Sequence, residues 1–425
     1  MLDNARALLY IGAEAISDTP GSGLIVNRVR IGLAGIGGFG ATHVAAASRL
    51  ADESLVRIIA FADPRTDAPD AARLRKSGAR GYSDGMALIE GEPDLQLLCV
   101  ASPPHTHFAI AEAALSRGIH VLLEKPPCLR IQDLRRLIAL EAENDCFCAV
   151  GFHDVARPQV ITLKRLLCEG ALGRIRAVHA HARWIRTDRY YERADWSGKV
   201  EVDGALTLDG PMNNALAHVL NLSAYLAGDE PHEFALPRWV QGELYRSNPY
   251  ACEDTSCLRA QMNSGVELCI HLTQAASTQH RRCWRVVGDH GVAEVRDGEP
   301  IALPVETIPW VEPENPTLTL LRRLVEVATG SDEPLLMPLA EAEGFLLLSN
   351  GAYESAGAIR AIPPEHLEER ILPDGRYNHV RHIDTWMRDA AISGRLLSEC
   401  DIPWAMSTPR FDLDGYNVFP VRWAP

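Results

Sequence analysis

The chain has 425 residues, 47% of them hydrophobic and 23% charged, a balance typical of a globular protein. Its length exceeds one ordinary hydrophobic core and predicts two domains. The net charge of −14 argues against nucleic acid as a partner, because an acidic surface repels phosphate backbones. No uninterrupted apolar run reaches about 18 residues, so we expect no membrane span. Ten scattered cysteines without a Cys-x-x-Cys pair are typical of reduced core thiols in a cytoplasmic protein.

Residues 1–28 precede the first predicted strand and are interpreted as an N-terminal extension. The apolar stretch Ala7–Ile11 is short, follows Asp3, and carries neither a basic cluster nor a twin-arginine pair. A secretory signal is therefore not expected. The pattern of this segment indicates no function.

A glycine-rich turn lies between the first predicted strand and helix. The apolar run Val29–Ala34 predicts a buried strand, and Gly35–Gly40 leads directly into a helical stretch that ends near Leu50. The first glycine permits a tight turn, the second lets the backbone approach a pyrophosphate, and the third lets the helix pack closely. The helix N-terminus then offers N–H groups to the phosphates. The residues expected to contact a dinucleotide here are Gly35, Gly37, Gly38, Phe39 and Gly40.

An acidic residue follows the second predicted strand, Val56–Ala62. Asp63 lies at the distance from the glycines where a carboxylate accepts hydrogen bonds from the adenosine ribose. Because Asp63 would repel a 2′-phosphate, NAD is favoured. Arg65 is close enough to moderate that repulsion, so NADP stays open.

Strands and helices continue to alternate up to Gly151. Strands are predicted at 95–101, 120–124 and 146–151, with helices at 105–117 and 131–143. This alternation predicts a doubly wound parallel sheet, a Rossmann domain over residues 29–152. Lys125 follows Glu124 at the carboxyl edge of its strand, where ligands bind in such sheets. A solvated surface lysine is the alternative.

In the second half of the chain, strand patterns come first and helical patterns follow, in contrast to the regular alternation of the first half. This order predicts a larger, sheet-rich domain over residues 153–380. Strands are predicted at 173–184, 267–273, 282–288 and 291–296, and helices at 317–329 and 338–360. The segment 381–425 is rich in aromatic residues, which need burial, and is interpreted as a tail that wraps the body or contacts another subunit.

Three residues near the end of the strand at 173–184 are candidates for a sugar site. Arg183, Trp184 and Arg186 combine guanidinium donors with an aromatic face, and a solvated strand edge is the alternative. His179 and His181 share one strand face, but no nearby cysteine or carboxylate completes a ligand set. We therefore expect no metal site.

Four segments together resemble the Gfo/Idh/MocA family of oxidoreductases. They are the glycine loop, the run Val100–His107, the Glu124-Lys125-Pro126 motif, and a helix ending in His218. The resemblance implies a Rossmann domain followed by an α/β domain with a large, mostly antiparallel sheet. One face of that sheet would carry the substrate site, and the other face would commonly make a homodimer or homotetramer interface.

The resemblance also implies roles for individual residues. Lys125 matches the family's catalytic lysine, and His218, Asn221 and Gly228 match the spacing of its active-site helix. Further residues expected beside the cofactor are Ser102, Pro103, His105, His107, Glu124 and Lys125.

One departure from the family pattern concerns the position four residues before His218. It is Asn214, where the family carries aspartate, so the expected helical geometry survives while one charge is lost. We expect Asn214 and Asn213 to contact substrate, with helix capping as the alternative. Without the aspartate, His218 is expected to titrate lower than in aspartate-bearing relatives.

The implied activity is reversible hydride transfer between a nicotinamide and a carbinol of a sugar, sugar derivative or cyclitol. His218 would act as general base and Lys125 would stabilise the alkoxide, although the two roles could be exchanged. Two alternatives stay open: a redox-assisted lyase or glycosidase with bound NAD, and a dinucleotide-binding sensor without chemistry.

Overall fold

A computed structural model describes residues 28–65, 69–304, 306–312 and 315–424. Residues 1–27, nearly all of the predicted N-terminal extension, lie outside the described residues. Within the described part, no helix is long and apolar enough to cross a membrane.

The first sheet has six parallel strands in the order β3-β2-β1-β4-β5-β6. In chain order they are β1 (Val29–Ala34), β2 (Val56–Ala62), β3 (Arg80–Tyr82), β4 (Leu97–Val100), β5 (His120–Leu123) and β6 (Cys148–Val150). The helices that connect them are α1 (Gly40–Asp52), α2 (Pro69–Lys76), α3 (Gly85–Gly91), α4 (His107–Leu115) and α5 (Ile131–Glu143). The central strands β4 and β5 are almost entirely buried, as expected for a parallel sheet covered on both faces. The predicted Rossmann fold is confirmed.

The remaining strands follow in chain order: β7 (Ile175–Arg183), β8 (Glu201–Val202), β9 (Ala205–Leu206), β10 (Pro237–Arg246), β11 (Thr255–Met262), β12 (Glu267–Thr273), β13 (Cys283–Gly288), β14 (Gly291–Arg296), β15 (Ile301–Ala302), β16 (Thr307–Ile308), β17 (Arg360–Ala361), β18 (Leu367–Leu372), β19 (Gly375–Val380) and β20 (Phe411–Asp412). The helices of this half are α6 (Pro158–Cys168), α7 (Asp188–Tyr191), α8 (Ala217–Leu226), α9 (Pro316–Ala328), α10 (Glu343–Ala356) and α11 (Ile383–Ser393).

Ten of these strands form one sheet in the order β16-β15-β14-β13-β7-β12-β11-β10-β17, and β20 pairs with β10. Most pairs are antiparallel, whereas β7–β12 and β10–β17 are parallel. The large, mostly antiparallel second sheet is therefore confirmed. The strands β10 and β11 and the hairpin β18–β19 were not predicted from the sequence.

The two faces of this sheet are covered by different helices. On β7, Ala180 and Ala182 are buried toward α8, and the neighbouring Trp284 donates its indole N–H to the Val219 carbonyl of α8 at 3.5 Å. The alternate residues His181 and Arg183 face the opposite side, which α11 covers. We call the α8 side the inner face and the α11 side the outer face.

The late helices return to the Rossmann domain. Helix α9 packs on α1, and Arg322 of α9 pairs with Glu53 at 2.7 Å. The buried Asn350 of α10 donates to the Leu129 carbonyl at 2.9 Å and accepts from the Ile131 N–H at 3.1 Å. Because Leu129 and Ile131 lie just after the Lys125 loop, these bonds fix the sheet domain against that loop.

The aromatic tail is packed on the body. Trp404 contacts Tyr245 of β10 with ring centroids 4.8 Å apart, and the Phe419 and Trp423 rings stack at 5.8 Å. The Glu354 carboxylate of α10 accepts the Trp423 backbone N–H at 3.0 Å. The tail therefore wraps the sheet domain of its own chain.

Candidate active site

The glycine loop has the backbone geometry that its sequence predicts. Gly35 has φ +87°, and a Cβ there would lie 2.6 Å from the Ala101 carbonyl oxygen. A Cβ on Gly40 would collide with the Gly35 carbonyl. By contrast, apart from its two chain neighbours, nothing in the described structure lies within 4 Å of a Cβ built on Gly38, and Phe39 at the N-cap of α1 makes no side-chain cap. An open space at the positive N-terminal end of α1 fits the phosphates of a dinucleotide.

Asp63 lies at the carboxyl end of β2 and holds the glycine loop. Its Oδ2 accepts the N–H groups of Ile36 at 3.1 Å and Gly37 at 3.2 Å, and its Oδ1 accepts the Arg65 N–H at 2.9 Å. The Arg65 guanidinium reaches across Gly37. A ribose at this position would therefore meet a carboxylate that also organises the loop.

The loop after β4 is tied to the Glu124-Lys125-Pro126 segment by a buried histidine. The two ring nitrogens of His107 lie 2.7 Å from the Pro126 carbonyl and 2.8 Å from the Ser102 carbonyl. His107 is thus enclosed between two backbone groups, and the prediction that it contacts the cofactor is corrected to a supporting role. Pro103 and His105 are half-buried beside it, and Ser102 pairs with Thr106 at 2.7 Å.

Glu124 and Lys125 point in different directions. Glu124 is buried 2.9 Å from the His43 ring of α1. Burial disfavours its ionised form, but the contact with His43 and the charge of Lys125 hold the pKa of Glu124 below its ordinary value. Glu124 therefore links α1 to the lysine loop.

Lys125 is half-buried, in contrast to a solvated surface lysine. Its Nζ donates to the Asn214 backbone carbonyl at 2.8 Å and to Asn214 Oδ1 at 3.3 Å. Burial lowers the pKa of Lys125, while Glu124 and Asp209 oppose that shift. The ammonium group is thus aimed at the segment that precedes α8.

That segment differs from the helix predicted around Asn214 and His218. Residues 211–216 form an irregular turn, and α8 begins only at Ala217, so His218 lies in its first turn. The capping alternative for Asn213 and Asn214 is also wrong, because the N-cap position of α8 is Leu216 and no side chain caps the helix there. The Asn214 carbonyl, which a continuous helix would pair with the His218 N–H, accepts the Lys125 ammonium instead.

A carboxylate reaches Asn214 from a different position. Asp209 is buried and accepts a hydrogen bond from the Asn214 side-chain amide. Arg193 pairs with the same carboxylate at 3.1 Å, and the Gly198 N–H donates to it at 2.8 Å. The available signal in the sequence was the acidic residue of the segment Asp209-Gly210-Pro211, which directly precedes Asn213 and Asn214 apart from Met212.

Two predicted substrate contacts lie inside the protein. Asn213 is buried and accepts the Ser349 hydroxyl of α10 at 2.8 Å. Asn221 is buried on α8, with its amide 3.8 Å from the Met337 sulfur. Both belong to the packing around α8 and are not grouped with Lys125.

His218 packs against residues that follow β6, which sequence reasoning missed. Its ring centroid lies 4.5 Å from that of His153, and its Nδ1 lies 3.8 Å from Asp154 Oδ2. Burial lowers the pKa of His218 well below its ordinary value, and Asp154 opposes that shift. Their position in the sequence could have pointed to them, because His153 and Asp154 follow a strand at the carboxyl edge of the parallel sheet, where ligands bind.

A cluster of aromatic and guanidinium groups lies on the inner-face side of β7. Arg186 stacks between Trp184 and Tyr190, with its guanidinium carbon 4.7 and 4.8 Å from the ring centroids. Tyr190 also lies below Arg193 and places its hydroxyl 3.5 Å from the Asn214 amide. Within the described ranges, no carboxylate lies in ion-pair distance of Arg186. Trp184 is thus connected through Arg186 and Tyr190 to Asn214, beside Lys125.

Arg183 is not brought to this site. It lies on the outer face and donates to the Asp384 carbonyl of α11 at 2.8 Å. With His181, it lines a cavity of about 460 Å³ on that face. The prediction that Arg183 lines the sugar site is therefore corrected, because residues of odd and even number in β7 face opposite sides.

Two family models match the sequence. The oxidoreductase family model with an NAD-binding Rossmann fold covers residues 29–152, and the GFO/IDH/MocA C-terminal domain model covers residues 160–294. Together they span more than half of the chain.

Several curated proteins are similar. The rhizopine catabolism protein MocA of Rhizobium meliloti is 26% identical over 337 residues, which cover 75% of this chain and 99% of that protein. Inositol 2-dehydrogenase 4 of Saccharopolyspora erythraea is 32% identical over 153 residues, 36% of this chain and 44% of that protein. The chain spans less than two thirds of the length of several such relatives, including the latter.

Solved structures share the fold. The WlbA dehydrogenase of Bordetella pertussis, in complex with NADH and UDP-GlcNAcA, has a TM-score of 0.65 at 23% identity over 78% of this chain and 97% of that one. Levoglucosan dehydrogenase in complex with NADH and levoglucosan has a TM-score of 0.65 at 18% identity over 83% and 99% of the two chains. By its sequence matches and its architecture, the chain belongs to the Gfo/Idh/MocA family of oxidoreductases and carries that family's NAD-binding Rossmann domain.

Proposed function

We propose that this protein is an NAD-dependent dehydrogenase that oxidises, or in reverse forms, a carbinol of a sugar, sugar derivative or cyclitol. The observation that carries the proposal is the meeting of Lys125 and the segment Asn214–His218 at the carboxyl edge of the Rossmann sheet. NADP remains open as a cofactor because Arg65 lies beside Asp63.

The dinucleotide would be held by residues whose geometry fits it. The open space at Gly38 and the uncapped start of α1 suit the pyrophosphate, and Asp63 suits the ribose. When bound, the nicotinamide supplies the acceptor or donor of hydride. Ser102, Pro103 and His105 form the next loop along the same sheet edge and would border it.

His218 and Lys125 would divide the proton and charge chemistry. As hydride leaves the carbinol carbon, the hydroxyl proton passes to neutral His218, whose lowered pKa keeps it unprotonated at neutral pH. Lys125 would donate a hydrogen bond to the developing alkoxide. We assign the roles this way round because Lys125 Nζ already acts as a donor to both oxygens of Asn214.

The cluster of Trp184, Arg186 and Tyr190 would receive the substrate. Aromatic faces pack on the apolar face of a sugar ring, and guanidinium and amide groups donate to its oxygens. The class of substrate is also supported by the names of the relatives, which include inositol 2-dehydrogenases and levoglucosan dehydrogenase.

The test is NADH formation with NAD or NADP and a panel of sugars, sugar acids and cyclitols. We expect steady turnover on one class of substrate and a loss of about 10²-fold or more in Lys125→Ala. Lys199→Ala, which changes an exposed lysine, is the matched control and should keep its activity. Turnover unaffected by Lys125→Ala would contradict the proposal. Tight NAD binding without net reduction would favour the lyase, glycosidase or sensor alternatives.

A further inference from the structure

The residues that follow β6 form a charged cluster against His218. Asp154 lies beside two imidazoles that pack on each other: His218 Nδ1 is 3.8 Å from its Oδ2 and His153 Nε2 is 3.8 Å from its Oδ1. Asp154 is 1% exposed and His218 is 7% exposed, so solvent hardly screens the interaction. In the described structure His218 Nδ1 has no hydrogen-bond partner. The carboxylate is thus an acceptor toward which a proton on Nδ1 can be directed.

We propose that Asp154 is the positioning residue that selects the tautomer of His218. This inference rests on the proposed function, in which His218 is the base. A hydrogen on Nδ1 directs its N–H dipole toward Asp154, which leaves the lone pair on Nε2, at the far side of the ring, to receive the substrate's hydroxyl proton. The 3.8 Å separation exceeds a hydrogen bond, but such contacts are often long before substrate binds.

Two arginines keep Asp154 ionised for this role. Arg282 is buried and donates to Asp154 Oδ2 at 2.6 Å, and Arg157 lies 2.9 Å from Oδ1. Although burial disfavours the carboxylate, these cations and the two histidines hold its pKa far below the ordinary value. Asp154 therefore accepts hydrogen bonds and does not donate one, which favours a hydrogen on the Nδ1 of His218 over a lone pair there.

The groups facing His218 come from several elements. Asp154 and His153 follow β6, Arg282 precedes β13, and Lys125 follows β5. Of these, only Asp154 is negative, so it is the one group that favours a hydrogen on Nδ1. Asn214, where the family carries its aspartate, is instead bonded to Lys125 and Asp209. Asp154, which follows β6, thus supplies the negative charge beside His218 that residue 214 lacks.

A metal ion is the competing interpretation of the same cluster. Ligand atoms of His153, Asp154 and His218 lie within 4.8 Å of one another. However, Arg157 and Arg282 contact the two Asp154 oxygens, so a cation would face two guanidinium groups at close range. This charge arrangement favours a proton site, and metal binding becomes an outcome of the test.

The experiment is ¹⁵N NMR of the full chain labelled at histidine, with His218 assigned by loss of its signals in His218→Gln. We expect the Nδ1–H tautomer in the wild type at neutral pH and a switch to Nε2–H in Asp154→Asn. Asp297→Asn is the matched control, because Asp297 contacts the same two arginines at 2.6 and 3.1 Å and makes no ion pair with His218 in the described structure. It should keep the Nδ1–H tautomer.

The tautomer is read without turnover, so its outcome is separate from that of the proposed function. A wild-type Nε2–H tautomer, or Nδ1–H retained in Asp154→Asn, would overturn the inference. If Asp154→Asn does not fold, the His218 tautomer in the wild-type spectrum tests the inference by itself. A stoichiometric metal in the purified protein, removed by Asp154→Asn, would also overturn it. With substrate, kcat should fall about 10²-fold or more in Asp154→Asn, as expected when a base is held in the wrong tautomer, and change little in Asp297→Asn.

Discussion

Asn214 is the residue at which this chain departs most clearly from its family, and its contacts explain how the change is tolerated. Its carbonyl and side-chain oxygens accept from Lys125, and its amide donates to Asp209. An amide can do both at once because it carries a donor and an acceptor, whereas a carboxylate accepts only. An aspartate here would meet the Asp209 carboxylate directly.

Asn214→Asp should therefore act first on Lys125 and not on His218. A carboxylate beside Lys125 raises the lysine pKa, so the alkaline limb of kcat/KM moves to higher pH while the acid limb stays. Repulsion between the two carboxylates should also cost about 1–3 kcal/mol of unfolding free energy. The measurements are pH–rate profiles and urea unfolding.

Asn214→Ser is the control for that variant, since it removes the amide without adding charge and should leave the alkaline limb in place. A shift of the acid limb alone in Asn214→Asp would show that residue 214 governs His218. That outcome would support the expectation, drawn from the family pattern, that the residue at 214 sets the pKa of His218.

At the scale of elements, β7 and β12 bring two histidines together beneath α11. His181 and His271 are cross-strand partners on the outer face, and His271 Nε2 lies 2.9 Å from the Arg395 carbonyl after α11. Burial lowers the pKa of His271 to about 4 and that of His181 to about 3. Both are neutral when the tail is packed.

Acid should therefore lower the free energy of unfolding, because His181 and His271 must be protonated. A histidine whose folded pKa lies below its unfolded value of about 6.5 binds fewer protons in the native state, so its contribution is lost as pH falls from 6.5 toward 4. For His271 the loss between pH 7 and pH 5 is about 2 kcal/mol. Urea unfolding at the two pH values measures it.

His271→Gln keeps an amide donor for the Arg395 carbonyl but cannot titrate, so the pH-dependent loss should shrink by about 2 kcal/mol. His232→Gln, at an exposed position, should leave the loss unchanged. An equal loss in wild type and His271→Gln would mean that other groups carry the acid sensitivity.

The sequence predicted closely the elements with strong apolar patterns and poorly those around α8, and it did not predict α2, β3 and α3 of the Rossmann half. Helix α5 and strands β1, β2, β12 and β14 have the predicted bounds. These elements depend on local apolar patterns that periodicity reveals. The start of α8 depends on Lys125, 89 residues away in sequence from Asn214, and no local pattern carries that contact.

At the scale of the whole molecule, the outer face of the large sheet is only partly available to another subunit. Helix α11 covers β7 and β12, whereas β13 and β14 present Arg285, Glu294 and Arg296 around the outer cavity. We expect an interface through this sheet, which the family resemblance implies, to use the surface of those two strands.

We expect a homodimer or homotetramer that uses them, and light scattering after size exclusion measures its mass. Arg285→Glu reverses a charge within that surface and should lower the assembled mass, while Arg165→Glu, at an exposed position of α6 outside those two strands, should not. A wild-type mass of 46.6 kDa, that of one chain, would contradict this expectation. It would mean that α11 and the residues after it cover the sheet surface that a partner subunit would otherwise contact.

By itself, the sequence determined the fold class and the glycine loop of the Rossmann domain, because each rests on a short pattern with a local physical cause. The family resemblance singled out Lys125 and His218, and their catalytic roles are proposals. Only the tertiary structure decided which other side chains join them. Asp209 and Asp154 reach the site from separate turns, while Arg183, Asn213 and Asn221 turn away from it. The reason is that a side chain's direction is set by the strand face or helix face that packing buries, and that choice depends on contacts between residues distant in sequence.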